Sequence, residues 1–237
     1  MSPLALRRRL VDTAAQRYRP AGRVAYFFAH GKLGGDPVFT AFLANGLIAE
    51  HVRILDLGCG QGLLAAWLAA AAESHRAREW CASWPAPPGA WSFRGIELMP
   101  RDVARANRAL GAPARVVQGD IRATAFGTAD VVVILDVLHY LDRASQEAVL
   151  SRVRTALSPA GVLLLRIGDA SGGLRFRISN WVDRIVLLLR SKGWERLHCR
   201  SLREWMSLLD RLGFRTDTIP MSANTPFSNV LLAARPR

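Results

Sequence analysis

The chain has 237 residues, half of them hydrophobic and 22% charged, which suits one packed domain and excludes a disordered tail or a fibre. It carries a net charge of +13 from 32 basic and 19 acidic residues, and all the basic ones except Lys32 and Lys192 are arginine. The longest apolar runs, Leu63 to Ala72 and Ile185 to Leu189, fall short of the roughly 20 residues a membrane span needs.

In chain order, residues 4–19 and 37–49 read as helices, joined by the turn-rich stretch Ala29 to Asp36. Residues 52–57 read as a buried strand bounded by glycine, and Gly62 to Glu73 as an apolar helix. Residues 74–90, with Trp80, Trp84, Pro85, Pro87 and Pro88, read as an irregular insertion. Trp91 to Leu98 is the next strand, Arg101 to Leu110 the next helix, and 114–119 the strand after it. The β-branched run Asp130 to Asp136 predicts a central parallel strand. Asp142 to Leu157 reads as a helix stopped by Ser158-Pro-Ala-Gly161, followed by a fifth strand from Val162 to Ile167. Residues 174–190 read as a basic amphipathic helix and 201–212 as another; 214–219 and 227–234 read as a closing strand pair. Strands alternating with helices predict an α/β, doubly wound, mostly parallel sheet of seven strands. Ligands of such sheets sit at the carboxyl ends of the strands.

Met1 to Arg9 places three arginines after a few apolar residues, and no apolar stretch of about 7–15 residues follows, so no signal peptide is expected. Cys59, Cys81 and Cys199 are lone, widely spaced thiols, which fits a reducing cytoplasm. No paired cysteine or histidine spacing occurs, so no metal site is expected. The charge is uneven. Residues 1–53 hold 8 basic and 3 acidic residues, 54–136 hold 8 of each, and 173–215 hold 10 and 4. Such a surface attracts nucleic acid, an anionic membrane, an acidic protein or an anionic substrate, or is simply a solvated, arginine-rich face.

The sharpest signal is Ile54-Leu-Asp-Leu-Gly-Cys-Gly-Gln-Gly62, a strand running into three alternate glycines and then a helix. Glycine there permits φ values that a Cβ forbids and lets backbone approach a ligand. The dinucleotide fingerprint is instead G-x-G-x-x-G, with an acidic residue about 20 positions on. The next acidic strand end is Glu97, which can accept from two ribose hydroxyls; Asp120 ends the following strand and can accept from an adenine amine.

These residues resemble the class I S-adenosylmethionine-dependent methyltransferases over residues 52–167: the glycine loop at 56–62, Glu97, Gly119-Asp-Ile121, Asp136-Val-Leu-His139 and Leu157-Ser-Pro-Ala-Gly-Val162, in that order. The resemblance implies a Rossmann-like fold and S-adenosyl-L-methionine as cofactor. It places Gly58, Cys59 and Gly60 against the methionine and ribose, and Asp56 toward the loop or the cofactor's ammonium. Glu97 and Leu98 fall at the ribose, Asp120 and Ile121 at the adenine, and Asp136 beside the cofactor. It divides the chain into an N-terminal helical lid, 1–50, and a methyltransferase domain, 51–237, with a cap insertion at about 171–200.

Methyl transfer from a sulfonium needs positioning, a dry pocket and, for a hydroxyl or carbon nucleophile, a base. His139 is the base candidate, because imidazole titrates near neutrality; the alternative is a histidine that packs under the cofactor. Tyr140, Arg166 and His30 are substrate-side candidates, and Arg166 with Asp169 can equally be a structural pair. The fourth strand ends in Asp136-Val-Leu-His139, not in the Asn/Asp-Pro-Pro-aromatic motif of base N-methyltransferases, so nucleic acid is not the expected substrate.

A narrower resemblance rests on Phe28-Ala-His-Gly-Lys-Leu33, Asp36-Pro-Val-Phe39, Asp136-Val-Leu-His-Tyr-Leu141, Arg166-Ile-Gly-Asp-Ala170 and Asn224-Thr-Pro-Phe-Ser-Asn-Val-Leu-Leu232. These look like methyltransferases of bacterial aryl polyene pigment pathways. That implies a phenolic or aryl secondary metabolite, free or on an acidic acyl carrier protein. An RNA- or protein-modifying methyltransferase and a non-catalytic cofactor-binding module are the competing readings.

Overall fold

The computed structural model describes residues 1–168, 198–221 and 229–237. The cap insertion at about 171–200 lies almost wholly outside them, as do Asp169, the predicted helix at 174–190 with its arginines, and Asn224 to Ser228. The chain divides into two compact units, Met1–Ala125 and Phe126–Arg237.

The first unit opens with α1 (Pro3–Gln16), a short 3-10 turn (Arg19–Ala21), α2 (Arg23–Gly35) and α3 (Pro37–Ala44). Then come β1 (Val52–Leu57), α4 (Leu63–Arg76), β2 (Trp91–Glu97), α5 (Pro100–Ala109) and β3 (Ala114–Gln118). β1 pairs with β2, and β2 with β3, both parallel. Asp36 caps α3 by accepting from the Val38 amide at 3.1 Å, and Pro37 takes the first helical position, where a missing N–H costs nothing. Trp67 is fully buried on α4, and its indole donates to the Phe39 carbonyl at 2.8 Å.

The second unit contains β4 (Ala129–Leu135), a 3-10 turn (Leu138–Tyr140), α6 (Arg143–Ala156), β5 (Leu157–Gly168), α7 (Leu202–Arg211), β6 (Phe214–Pro220) and β7 (Asn229–Pro236). β4 and β5 are parallel; β5 with β7 and β7 with β6 are antiparallel. Val131 to Ile134 and Leu163 to Leu165 are buried without alternation, as expected of strands covered on both faces. Asp142 caps α6, accepting from Ser145 at 2.7 Å, and Ser201 with Glu204 forms a capping box on α7. The strand order is β3-β2-β1-β4-β5-β7-β6: a mostly parallel, Rossmann-like sheet of seven strands with an antiparallel edge.

Two local expectations are corrected. Ala29 to Asp36 is not a turn; residues 23–35 form α2. Gly34 faces Val11, whose Cγ1 would lie 3.8 Å from an added Cβ, and Arg7 donates to the Gly34 carbonyl. Packing against α1 overrides the low helix propensity of the three glycines. β5 begins at Leu157, not Val162, with Ala129 paired to Leu157 across an irregularity. Pro159 is tolerated because β7 pairs with β5 only from Leu163 onward, so its missing N–H breaks no ladder there.

Candidate functional site

In the first unit the chain leaves β1 at Leu57 and turns through Gly58, Gly60 and Gly62, all left-handed at φ 74°, 55° and 71°. Non-glycine residues would be strained at all three. The amides of Gly58 and Cys59 donate to the Ile96 carbonyl at 2.8 and 3.3 Å, and the Gly60 amide donates to Glu97 Oε2 at 2.9 Å. Glu97 Oε1 accepts from the Met99 amide at 2.9 Å. Each carboxylate oxygen of Glu97 thus holds one backbone amide and keeps acceptor capacity for a further donor. Glu97 is 7% exposed and Asp56 4%. Burial, and then the neighbouring Glu97, push Asp56 up to about 8. The structure therefore brings Asp56, Gly58, Cys59, Gly60 and Glu97 together.

The loop has further supports that carry no sequence motif. Tyr18 donates its phenol to the Gln61 carbonyl at 2.8 Å, and Gln61 Nε2 donates to Asp102 at 3.3 Å. A Cβ on Gly95 would fall 2.4 Å from Cys59 Sγ, so glycine inside β2 makes room for that thiol. Burial raises the Cys59 thiol, with Asp56 and Glu97 adding to it, so the sulfur is a packing group. Asp120 lies two residues beyond β3 with its carboxylate held by the Arg122 guanidinium at 2.6 Å, and Ile121 is buried beside it. Leu98 is 42% exposed. His30 is exposed on α2, its Nε2 3.1 Å from Asp12.

In the second unit β4 ends at Leu135, and Asp136 takes a left-handed turn at φ 57°, which aspartate tolerates better than most residues. The Arg166 guanidinium, 3% exposed on β5, grips Asp136 with Nε at 2.9 Å from Oδ1 and Nη2 on Oδ2. The 3-10 turn follows, with the rings of His139 and Tyr140 4.2 Å apart between centroids. Gln146, fully buried on α6, holds that turn. Its amide reaches the carbonyls of Leu138 at 3.1 Å, Leu141 at 3.0 Å and His198 at 2.7 Å. The His198 amide donates to the His139 carbonyl at 2.8 Å. Arg200 Nε donates to Gln146 Oε1 at 2.7 Å, and its Nη2 to Glu147 at 3.0 Å. No motif announces Gln146 or Arg200.

A family model described as a methyltransferase domain matches residues 10–219. The chain belongs to that family, and its fold is that of the class I S-adenosylmethionine-dependent methyltransferases. Carboxy-S-adenosyl-L-methionine synthase of Chromohalobacter salexigens is 35% identical over 130 residues, covering 51% of this chain and 43% of that protein. Ribosomal RNA small subunit methyltransferase C of Alcanivorax borkumensis is 25% identical over 147 residues, 58% of this chain and 39% of that protein. The chain thus spans less than half the length of either relative. Among solved structures, magnesium protoporphyrin IX methyltransferase of Synechocystis with bound SAH aligns with a TM-score of 0.58 at 19% identity, over 99% of this chain and 100% of that one. An O-methyltransferase family protein from Burkholderia thailandensis aligns at 0.62 and 18% identity, over 92% of this chain and 61% of that one. At these identities the likeness shows the fold.

The cofactor of the family is S-adenosyl-L-methionine, and the glycine loop suits it. A Cβ at Gly60 would meet no atom within 4 Å, and Gln61 Oε1 is buried without a hydrogen-bond partner. The loop therefore offers an open backbone cradle, an orphaned acceptor and two buried carboxyl groups to a ligand rich in donors and positive charge.

Proposed function

We propose that the chain methylates a small molecule, a phenolic or aryl compound, free or carried on an acidic acyl carrier protein, in a reducing cytoplasm. Asp56, Gly58, Gly60 and Glu97 would hold the ammonium and ribose of S-adenosyl-L-methionine; Leu98, Asp120 and Ile121 would frame the ribose and adenine. The bound cofactor supplies a methyl group on a sulfonium, whose carbon–sulfur bond breaks as the acceptor's new bond forms.

The observation that carries this reading is the turn after β4, where an imidazole and a phenol stand side by side on a backbone pinned by Gln146 and His198. A pinned imidazole can take the proton that an attacking hydroxyl must lose. His139 is assigned that task, and Tyr140 lines the acceptor's side. Arg166 fixes Asp136 and so fixes where the turn begins. Residues 1–50 are assigned as a lid; the cap assigned to about 171–200 falls almost wholly outside the described residues.

His139→Ala tests the assignment. Turnover of a phenol panel, free and carrier-bound, should fall on the order of a hundredfold or more, with S-adenosylhomocysteine affinity kept. Loss of both together would make His139 a packing residue. Mass analysis of the cofactor product separates methyl transfer from the reaction after which the Chromohalobacter relative is named.

A further inference from the structure

The helix α2 is apolar on two faces, and its own unit buries one of them. Ala25, Ala29 and Leu33 point inward. Val24, Phe27 and Phe28, at helical spacing on another face, are 65%, 62% and 46% exposed. Met1 and Leu4 are also exposed; of the six exposed large hydrophobics among the described residues, only Leu98 lies elsewhere. Two neighbouring phenylalanines in water signal an interaction surface more than isolated exposed residues do.

The charge around this face names the occupant. Residues 1–35 hold seven basic side chains and one acidic, Asp12. Arg8, Arg9, Arg19, Arg23 and Lys32 are all exposed. Arg9 pairs with Glu79, Lys32 with Asp36, and Arg19 lies over the Tyr26 ring. A second copy of the chain would bring the same cationic excess against this one, which like-charge repulsion opposes. Hydrocarbon accepts exposed phenylalanines without a complementary pocket, and anionic headgroups accept the arginines; the pairing of the two is the mark of a helix that lies in a membrane interface.

We propose that the outer face of α2, with the arginines of α1 and its own first turn, is a peripheral docking surface for an anionic lipid bilayer. Val24, Phe27 and Phe28 enter the headgroup boundary while Arg8 and Arg23 meet lipid phosphates. Among the described residues no helix is long and apolar enough to cross a membrane, so this is surface attachment.

The test is sedimentation of the intact chain with vesicles of equal parts phosphatidylglycerol and phosphatidylcholine, against phosphatidylcholine alone. Partition to the anionic vesicles should be stronger by about tenfold or more and should weaken as salt rises. The double variant Phe27→Ser, Phe28→Ser should lose about tenfold while melting as the wild type does, because both side chains are exposed. Arg8→Glu with Arg23→Glu should lose the preference for anionic vesicles by a similar factor. Equal partition to both vesicles, no partition to either, or unchanged partition of the serine variant would overturn the proposal. A dimer in sedimentation velocity that the serine variant abolishes would assign the face to a second copy instead.

Discussion

Tyr18 and Gln61, 43 residues apart, are joined by a hydrogen bond of 2.8 Å from phenol to backbone carbonyl. It ties the N-terminal helices to the glycine loop inside one compact unit. Tyr18 is fully buried, and burial, aided by Cys59, pushes its phenol far above the ordinary value, so it remains a donor. Tyr18→Phe keeps the ring and removes that donor. Stability should fall by about 1–2 kcal/mol, the cost of an orphaned buried acceptor. S-adenosylhomocysteine affinity should fall by about fivefold, because the loop loses a support. Calorimetry and thermal unfolding read the two effects separately. Reduced stability with unchanged affinity would make Tyr18 a core residue and nothing more.

Asp56 gives the protein a pH dependence with a defined sign. Its ordinary value is 3.8 and its folded value about 8. Between these the native chain holds a proton that the unfolded chain has released, so stability falls as pH rises through the window and levels off above about 8. An ammonium brought to Asp56 favours the ionised form. Cofactor binding near neutrality should therefore release a proton, and affinity should rise toward about pH 8. Melting temperature against pH checks the first statement; calorimetry in buffers of different ionisation enthalpy checks the second. Asp56→Asn should flatten both profiles. A wild-type melting profile that rises across the window would contradict the assignment.

Gly95 and Cys59 form a steric pair. Gly95→Ala puts a methyl 2.4 Å from Cys59 Sγ and 3.0 Å from Val116 Cγ2. Overpacking of this kind costs about 1–3 kcal/mol. Cys59→Ala in the same chain removes the nearest clash and should recover most of the loss, giving a coupling in a double-mutant cycle. Strictly additive effects would show that the loop and strand move apart freely.

Much of the frame was legible because strand signals here are strong. Val52–Leu57 has the boundaries that its apolar run and following glycine predict, and Ala129–Leu135 matches its β-branched run to within one residue. The errors arose where a local signal was overruled at a distance. Gly31, Gly34 and Gly35 read as a turn until Val11 and Arg7 supply the helix contact. Ser158-Pro-Ala-Gly161 reads as a stop, but β4 pairs with Leu157 before it and Val162 after it, so the strand runs through. The turn of the glycine loop and the strand end at Glu97 were legible because alternate glycines after a buried strand signal a sharp turn. Tyr18, Asp102, Gln146 and Arg200 were not, because each is a single side chain whose role depends on what the fold places opposite it. Gly95 was the one missed residue with a local flag, a glycine inside a strand.

Gln146 is the most connected of these. Gln146→Leu leaves the carbonyls of Leu138, Leu141 and His198 and the Arg200 Nε without this partner. The cost should be about 3 kcal/mol or more. Turnover should fall with S-adenosylhomocysteine affinity nearly unchanged, since the glycine loop is not touched. Single-turnover rates and calorimetry on the same preparation check this; a kcat equal to the wild type would free the turn from any positioning role.

Calorimetric titration of S-adenosylhomocysteine into folded Glu97→Ala is the most direct test of the glycine loop as the cofactor site. Glu97 holds the amides of Gly60 and Met99 and is the buried carboxylate assigned to the ribose. Its removal should cost about 1.5–3 kcal/mol of binding, the worth of a hydrogen bond to a charged group. That is a loss of about tenfold or more in affinity. Affinity equal to the wild type, in a Glu97→Ala protein that still unfolds cooperatively, would contradict the assignment.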